Sequence, residues 1–200
     1  MPHDLGLAII VEDRLSGSVA ERMVATVKPW QRNALPPVHL GGIEKIRAQM
    51  PKYLNASHVM PHFVLVDLDK TTCAPALLTA WQLPVPGARL LFRVAVRETE
   101  AWVLADRKGF ADFAGIPVSK VPQSPELESD PKQTLVNLVR RSRKKRLVTE
   151  LVPAQGSRVS IGPLYNELLC EFVRTTWNLE AACCNAPSLA KALVRLRSFR

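Results

Sequence analysis

Five carboxylates stand where their type and spacing could hold a cation: Glu12, Asp67, Asp69, Glu98 and Glu100. Each follows an apolar stretch with the character of a strand. "LAIIV" runs into Glu12-Asp13, "FVLV" into Asp67-Leu68-Asp69, and "LLFRVAV" into Arg97-Glu98-Thr99-Glu100. Parallel strands present their carboxyl ends on one edge of a sheet, where ligands bind. Glu12, Asp67, Asp69 and one or both of Glu98 and Glu100 are therefore expected to converge. Two carboxylates about 4 Å apart repel by about 1 kcal/mol in water and about 4 kcal/mol at an effective dielectric near 20. Such a group must take up protons or bind a divalent cation. Oxygen-only ligands suit Mg²⁺ or Mn²⁺, which neutralise phosphate and activate water.

A second feature is cationic. "RRSRKKR" places Arg140, Arg141, Arg143, Lys144, Lys145 and Arg146 within seven residues, in a chain of net charge +9. The first hundred residues carry 11 Lys/Arg against 9 Asp/Glu, and the second hundred 16 against 9. Phosphate contacts release counterions and give sequence-independent affinity, so the run is a candidate contact to DNA or RNA. A solvated helix face is the alternative reading of such a run.

The elements that must position these groups follow from hydrophobic pattern. Non-alternating apolar runs at 5–11, 63–67 and 88–96 predict strands buried on both faces, with a weaker strand in "PPVHLGG". Between them, helices are expected at 19–27 behind a Ser18 cap, from 43 with Pro51 limiting or kinking it, and over "CAPALLTAWQL". Strand–helix alternation predicts a mainly parallel sheet of about four strands flanked by helices. Beyond it, "ETEAWVLADRKGFADFAG" reads as two helical pieces punctuated by Gly109 and Gly115. Further helices are expected at about 131–150, 163–178 and 188–198, the last capped by Ser188. The expected organisation is an α/β core over 1–105 and a helical extension over 106–200 packed on it.

Other classes are disfavoured by the pattern. No run approaches the roughly 18 apolar residues of a membrane span, and the N-terminus lacks the basic region of a secretory leader, so no membrane association and a cytoplasmic location are expected. Cys73, Cys170, Cys183 and Cys184 form no CxxC pair and read as small buried thiols. His58 and His62 are four apart, but Pro61 argues against a regular helix presenting both.

"VLVDLDKT" resembles the DxDxT nucleophile motif of haloacid-dehalogenase-type phosphatases. That would make Asp67 the nucleophile and Asp69 the acid/base, with Thr71 completing the motif. The later lysine and late acidic pair of that family have no counterpart here. The pattern of a glutamate after the first strand and a DxD after a later one is instead similar to the TOPRIM domain of topoisomerases, primases and OLD-type nucleases. More specifically, "VAVRETEAWVLADR", "DPKQTL", "GPLYNELLCEFV" and "PSLAKALVRL" occur in the order of a small bacterial TOPRIM-like, OLD-nuclease-like protein family of unknown function. The resemblance covers nearly the whole chain.

It implies a TOPRIM/Rossmann-like α/β fold and a Mg²⁺- or Mn²⁺-dependent phosphodiesterase acting on nucleic acid, a nuclease. Asp67 and Asp69 would hold metal, and Glu12 would be a ligand or general acid/base. Glu100, with Glu98 second, would complete the catalytic set. Similar proteins act beside ABC-type ATPases in phage defence, so the resemblance implies such a partner. One departure bears on phosphate positioning: Asp13 stands where the common signature has glycine. It keeps open a non-catalytic TOPRIM-derived module that binds nucleic acid or regulates.

Overall fold

The computed structural model describes residues 6–83 and 87–199. The chain divides into two compact units, Met1–Val96 with Ala190–Arg200, and Arg97–Leu189. The fold is α/β, with an all-parallel four-stranded sheet flanked by helices and a helical C-terminal half.

The first unit alternates strand and helix: β1 (Ala8–Val11), α1 (Arg14–Val24), α2 (Trp30–Asn33), β2 (Val38–His39), α3 (Ile43–Ala56), β3 (His62–Asp67), α4 (Ala74–Ala80) and β4 (Leu90–Ala95). The sheet order is β2-β1-β3-β4. Val11 aligns with Leu65 and Asp67 with Ala95, so the ends of β1, β3 and β4 share one edge. Alternate residues face opposite sides of a strand. Ile10, Val64, Val66, Phe92 and Val94 form one face and pack with Ile46, Met50 and Tyr53 of α3 and Leu77 of α4. Burying each such side chain contributes about 1.5–3 kcal/mol, which is what fixes the strand register.

The second unit begins with α5 (Thr99–Ala105), every residue of which is buried, and α6 (Arg107–Ala114). Two short 3₁₀ turns, Val118–Lys120 and Pro125–Leu127, lead to α7 (Pro131–Val139), α8 (Lys145–Leu151), α9 (Tyr165–Thr175) and α10 (Leu179–Asn185). Last comes α11 (Pro187–Ser198), which starts in the second unit and ends in the first. Against α5 pack α6, α7 and α10.

Several local expectations are corrected. The first strand starts at Ala8, with Leu7 making an isolated bridge to Ala34; Leu5 lies outside the described residues. α1 begins at Arg14, capped by Asp13, whose Oδ1 accepts from the Ser16 amide at 2.9 Å, so Ser18 is an interior helical residue. Pro51 lies inside α3 without ending it. The helical pieces after β4 part at Asp106 rather than Gly109, while Gly115 does end α6 in the left-handed region (φ 65°). Ser188 does not cap α11: its own amide donates to Glu126 Oε1 at 3.0 Å. Of the four thiols only Cys170 is buried, and Cys73 and Cys184 are exposed.

Candidate functional site

Glu12 follows β1 and Asp67 ends β3, and those strands are neighbours. In the order 2-1-3-4 the crossovers leave β1 and β3 in opposite directions, so a crevice opens at the carboxyl ends of this pair. The Glu12 side chain crosses it: Oε1 accepts the Asp67 backbone amide at 2.7 Å. A second backbone amide, that of Ile43 at the start of α3, also binds the carboxylate. The glycine pair Gly41-Gly42 makes this possible. Both take positive φ (75° and 126°), and Gly41 N donates to the Glu12 carbonyl at 2.7 Å, wrapping the β2–α3 loop around Glu12. The amino end of a helix favours negative charge.

Even so, the charge is poorly tolerated there. Burial, and then the nearby Asp69 and Asp13 carboxylates, push Glu12 up to about 7 against the lowering effect of the two amides. Desolvation disfavours the ionised form, and like charges add to that. Asp69 belongs to the same edge. The Leu68 amide donates to Ala95 O at 2.9 Å and its side chain is buried, which pins the loop to β4. Asp69 then takes the left-handed region at φ 49°, where Asp is tolerated better than most residues, and the Thr71 amide closes the turn on Leu68 O.

In donor type and charge these residues fit a hard divalent cation: Glu12, Asp67 and Asp69 supply oxygen only, and Glu12 is raised to about 7. Among the described residues no group of three or more Asp, Glu, His or Cys is already assembled around one point. One or two carboxylates with water completing the shell is the ordinary habit of Mg²⁺. Asp13, expected as a departure in phosphate positioning, serves as the α1 cap. That accounts for a carboxylate at this position independently of any ligand.

Glu98 and Glu100 lie in the second unit and make their own constellation there. Glu98 caps α5 by position, and its Oε2 accepts the Lys132 amide at 2.9 Å, in the first turn of α7. Glu100 is buried; Oε1 accepts the Tyr165 hydroxyl at 2.9 Å and lies 3.5 Å from Lys132 Nζ. Three segments of the resemblance thus meet: "RETEAW" supplies both glutamates, "DPK" supplies Lys132 and "GPLYN" supplies Tyr165. Sequence reasoning missed Lys132 and Tyr165 as partners, although each lies in a quoted motif.

Asp106, from the end of the first motif, is also buried. It accepts from the Gly109 amide at 3.0 Å and the Asn178 amide at 2.8 Å, so it joins the starts of α6 and α10. Gly109 is required there, because a Cβ would lie 2.0 Å from Asp106 Oδ2.

The basic run is not one helix. α7 ends at Val139 and α8 starts at Lys145, so Arg140 to Lys144 form the turn between them. All six cations are exposed, but not equally available. Lys144 Nζ donates to the carbonyls of Asp112 and Phe113 at 2.8 and 2.9 Å, capping the end of α6. Arg146 pairs with Glu150 at 2.8 Å. Arg141, Arg143 and Lys145 point charge into solvent. No helix among the described residues is long and apolar enough to cross a membrane. His58 and His62 are separated as expected: His58 is exposed beyond α3, and His62 is buried in β3 with Nδ1 2.7 Å from Met60 O.

Comparison with protein-family models, with curated proteins and with solved structures finds no match to this chain.

Proposed function

We propose that the protein is a Mg²⁺- or Mn²⁺-dependent phosphodiesterase that cleaves nucleic acid. The observation that carries this reading is the Glu12 carboxylate seated on the Asp67 backbone amide at the β1–β3 crevice, where burial, with the nearby Asp69 carboxylate adding to it, raises Glu12 to about 7. A carboxylate group so placed calls for a proton or a cation. Glu12, Asp67 and Asp69 would hold the ion, and a bound divalent cation supplies phosphate neutralisation and an activated water. The chain's own contribution is positional. The Asp67 and Ile43 amides fix the Glu12 carboxylate, and the Leu68–Ala95 bond fixes the loop bearing Asp69. A glutamate poised near neutrality can also hold or release a proton, as a general acid/base must. Glu98 and Glu100 act on this reading by holding Lys132 and the start of α7. The exposed cations of 140–146 supply backbone affinity for DNA or RNA. The sequence resemblance places such an enzyme in phage defence beside an ABC-type ATPase, and that partner is part of the proposal.

One observation favours a second reading, a binding or regulatory module without catalysis: the Glu12 carboxylate is already occupied by two backbone amides, those of Asp67 and Ile43. A nuclease panel separates the two. Wild type should cleave DNA or RNA with Mg²⁺ or Mn²⁺, and Asp67→Ala should lose at least about 100-fold of that rate while unfolding at a similar temperature. Oligonucleotide binding without cleavage under either metal, together with calorimetry showing no metal uptake, would leave only the module.

A further inference from the structure

Beside the basic turn the second unit has a groove of about 510 Å³, lined by Arg140 and by residues 153–157 of the loop after α8. Its far wall is a tight turn in which the Ser157 amide donates to Ala154 O at 3.0 Å. Gly156 stands at its third position with φ 80°, the geometry of a type II turn. A Cβ placed on Gly156 would meet nothing within 4 Å, so another chain can come close to the backbone here. Gln155, Gly156, Ser157 and Arg158 are all exposed. Residues 140–158 contain seven Lys/Arg and a single carboxylate, Glu150, which is the partner of Arg146. The groove therefore offers hydrogen-bond donors on one wall and a guanidinium on the other, in a strongly positive surround. Arg140 uses one of its five donors on Asn137, at 2.8 Å, which holds the side chain in place and leaves the rest available.

We infer that this groove, between Arg140 and the Gln155–Ser157 turn, seats the phosphodiester backbone of the nucleic acid, extending the interface beyond the 140–146 run. The inference rests on the proposed function. A backbone is the occupant because every donor here suits phosphate oxygen and no aromatic ring lines the groove to stack a base. Binding at this position is then insensitive to sequence. Lys144 and Arg146 contribute least, since each is held by the protein itself.

The test is fluorescence anisotropy with labelled 20-nucleotide single strands and duplexes of DNA and RNA, across a salt series. Gln155→Glu is nearly isosteric and puts a negative charge in the groove, so it should weaken binding about fivefold to tenfold; Arg140→Gln should do the same and reduce the salt slope by about 0.7–0.9. Gln155→Lys should tighten binding and steepen the slope by a similar amount, a gain that a damaged fold cannot mimic. The groove is refuted if these three bind like wild type while a double Arg141→Gln, Arg143→Gln variant is weakened; the nucleic-acid reading then survives without it. Absence of binding by wild type at any salt, or capture by phosphatidylserine vesicles alone, overturns both.

Discussion

Replacing Glu12 with glutamine isolates the charge on which the reading depends. Gln keeps an acceptor oxygen for the Asp67 amide and removes the ionised form. In the folded protein Glu12 titrates near 7, against an ordinary value of 4.5. Between those values the native state holds a proton that the unfolded chain has released. Wild-type stability therefore falls as pH rises through this window, is unpenalised below about 4.5 and carries the full cost above about 7. A shift of that size corresponds to at most about 3–4 kcal/mol, and the partial exposure of Glu12 reduces it to about 1–2 kcal/mol. Without divalent cation, Glu12→Gln should thus unfold about 2–8 °C higher than wild type at pH 8 and at the same temperature near pH 4. Adding Mg²⁺ at pH 8 should raise wild type and leave the variant unchanged. Thermal unfolding by circular dichroism, with EDTA or excess Mg²⁺, measures all of this. A variant less stable than wild type at pH 8, or a difference independent of pH, would refute the argument.

Two further substitutions test the second unit. Gly109→Ala should cost about 2–4 kcal/mol in urea unfolding, because the added carbon displaces Asp106 from the amides of Gly109 and Asn178; a loss under 1 kcal/mol would mean that Asp106 has another way to cap both helices. Tyr165→Phe removes one hydrogen bond from the buried Glu100 and should cost about 1–3 kcal/mol, with unchanged affinity for nucleic acid. Weakened binding by a normally stable Phe variant would assign Tyr165 to the interface instead.

Much of the sheet was legible because its signals are local. Apolar runs ending in Glu12 and Asp67 mark strands that need burial on both faces, and that burial leaves their ends at one edge. The four-stranded parallel sheet and the helical second half follow from the same patterns. What stayed hidden depends on backbone hydrogen bonding that no spacing encodes. The Gly41-Gly42 pair read as the tail of a weak strand, yet it folds the loop onto Glu12. Asp13 read as a departure in a ligand signature, and its side chain instead starts α1. Ser18 and Ser188 are good capping residues in isolation, but each helix starts earlier in the chain: Asp13 caps α1 at the Ser16 amide, and α11 begins at Pro187, with the Ser188 amide held by Glu126. The basic run read as helix because the apolar spacing over 131–150 carries through it. Six like charges on one helix repel, and the chain breaks into a turn where Lys144 can cap α6. Glu98 and Glu100 were singled out by type and position. Their partners, Lys132 and Tyr165, are 34 and 65 residues away in sequence and only the packing of α5, α7 and α9 brings them together.

The central claim is that Glu12, Asp67 and Asp69 hold a divalent cation. A crystal soaked in Mn²⁺ at pH 8 and measured at the manganese absorption edge tests it directly. One anomalous peak is expected at the β1–β3 edge, with carboxylate oxygens of at least two of these residues about 2.0–2.2 Å away. Saturating Mn²⁺ with no peak there, or with a peak only elsewhere on the molecule, would contradict it.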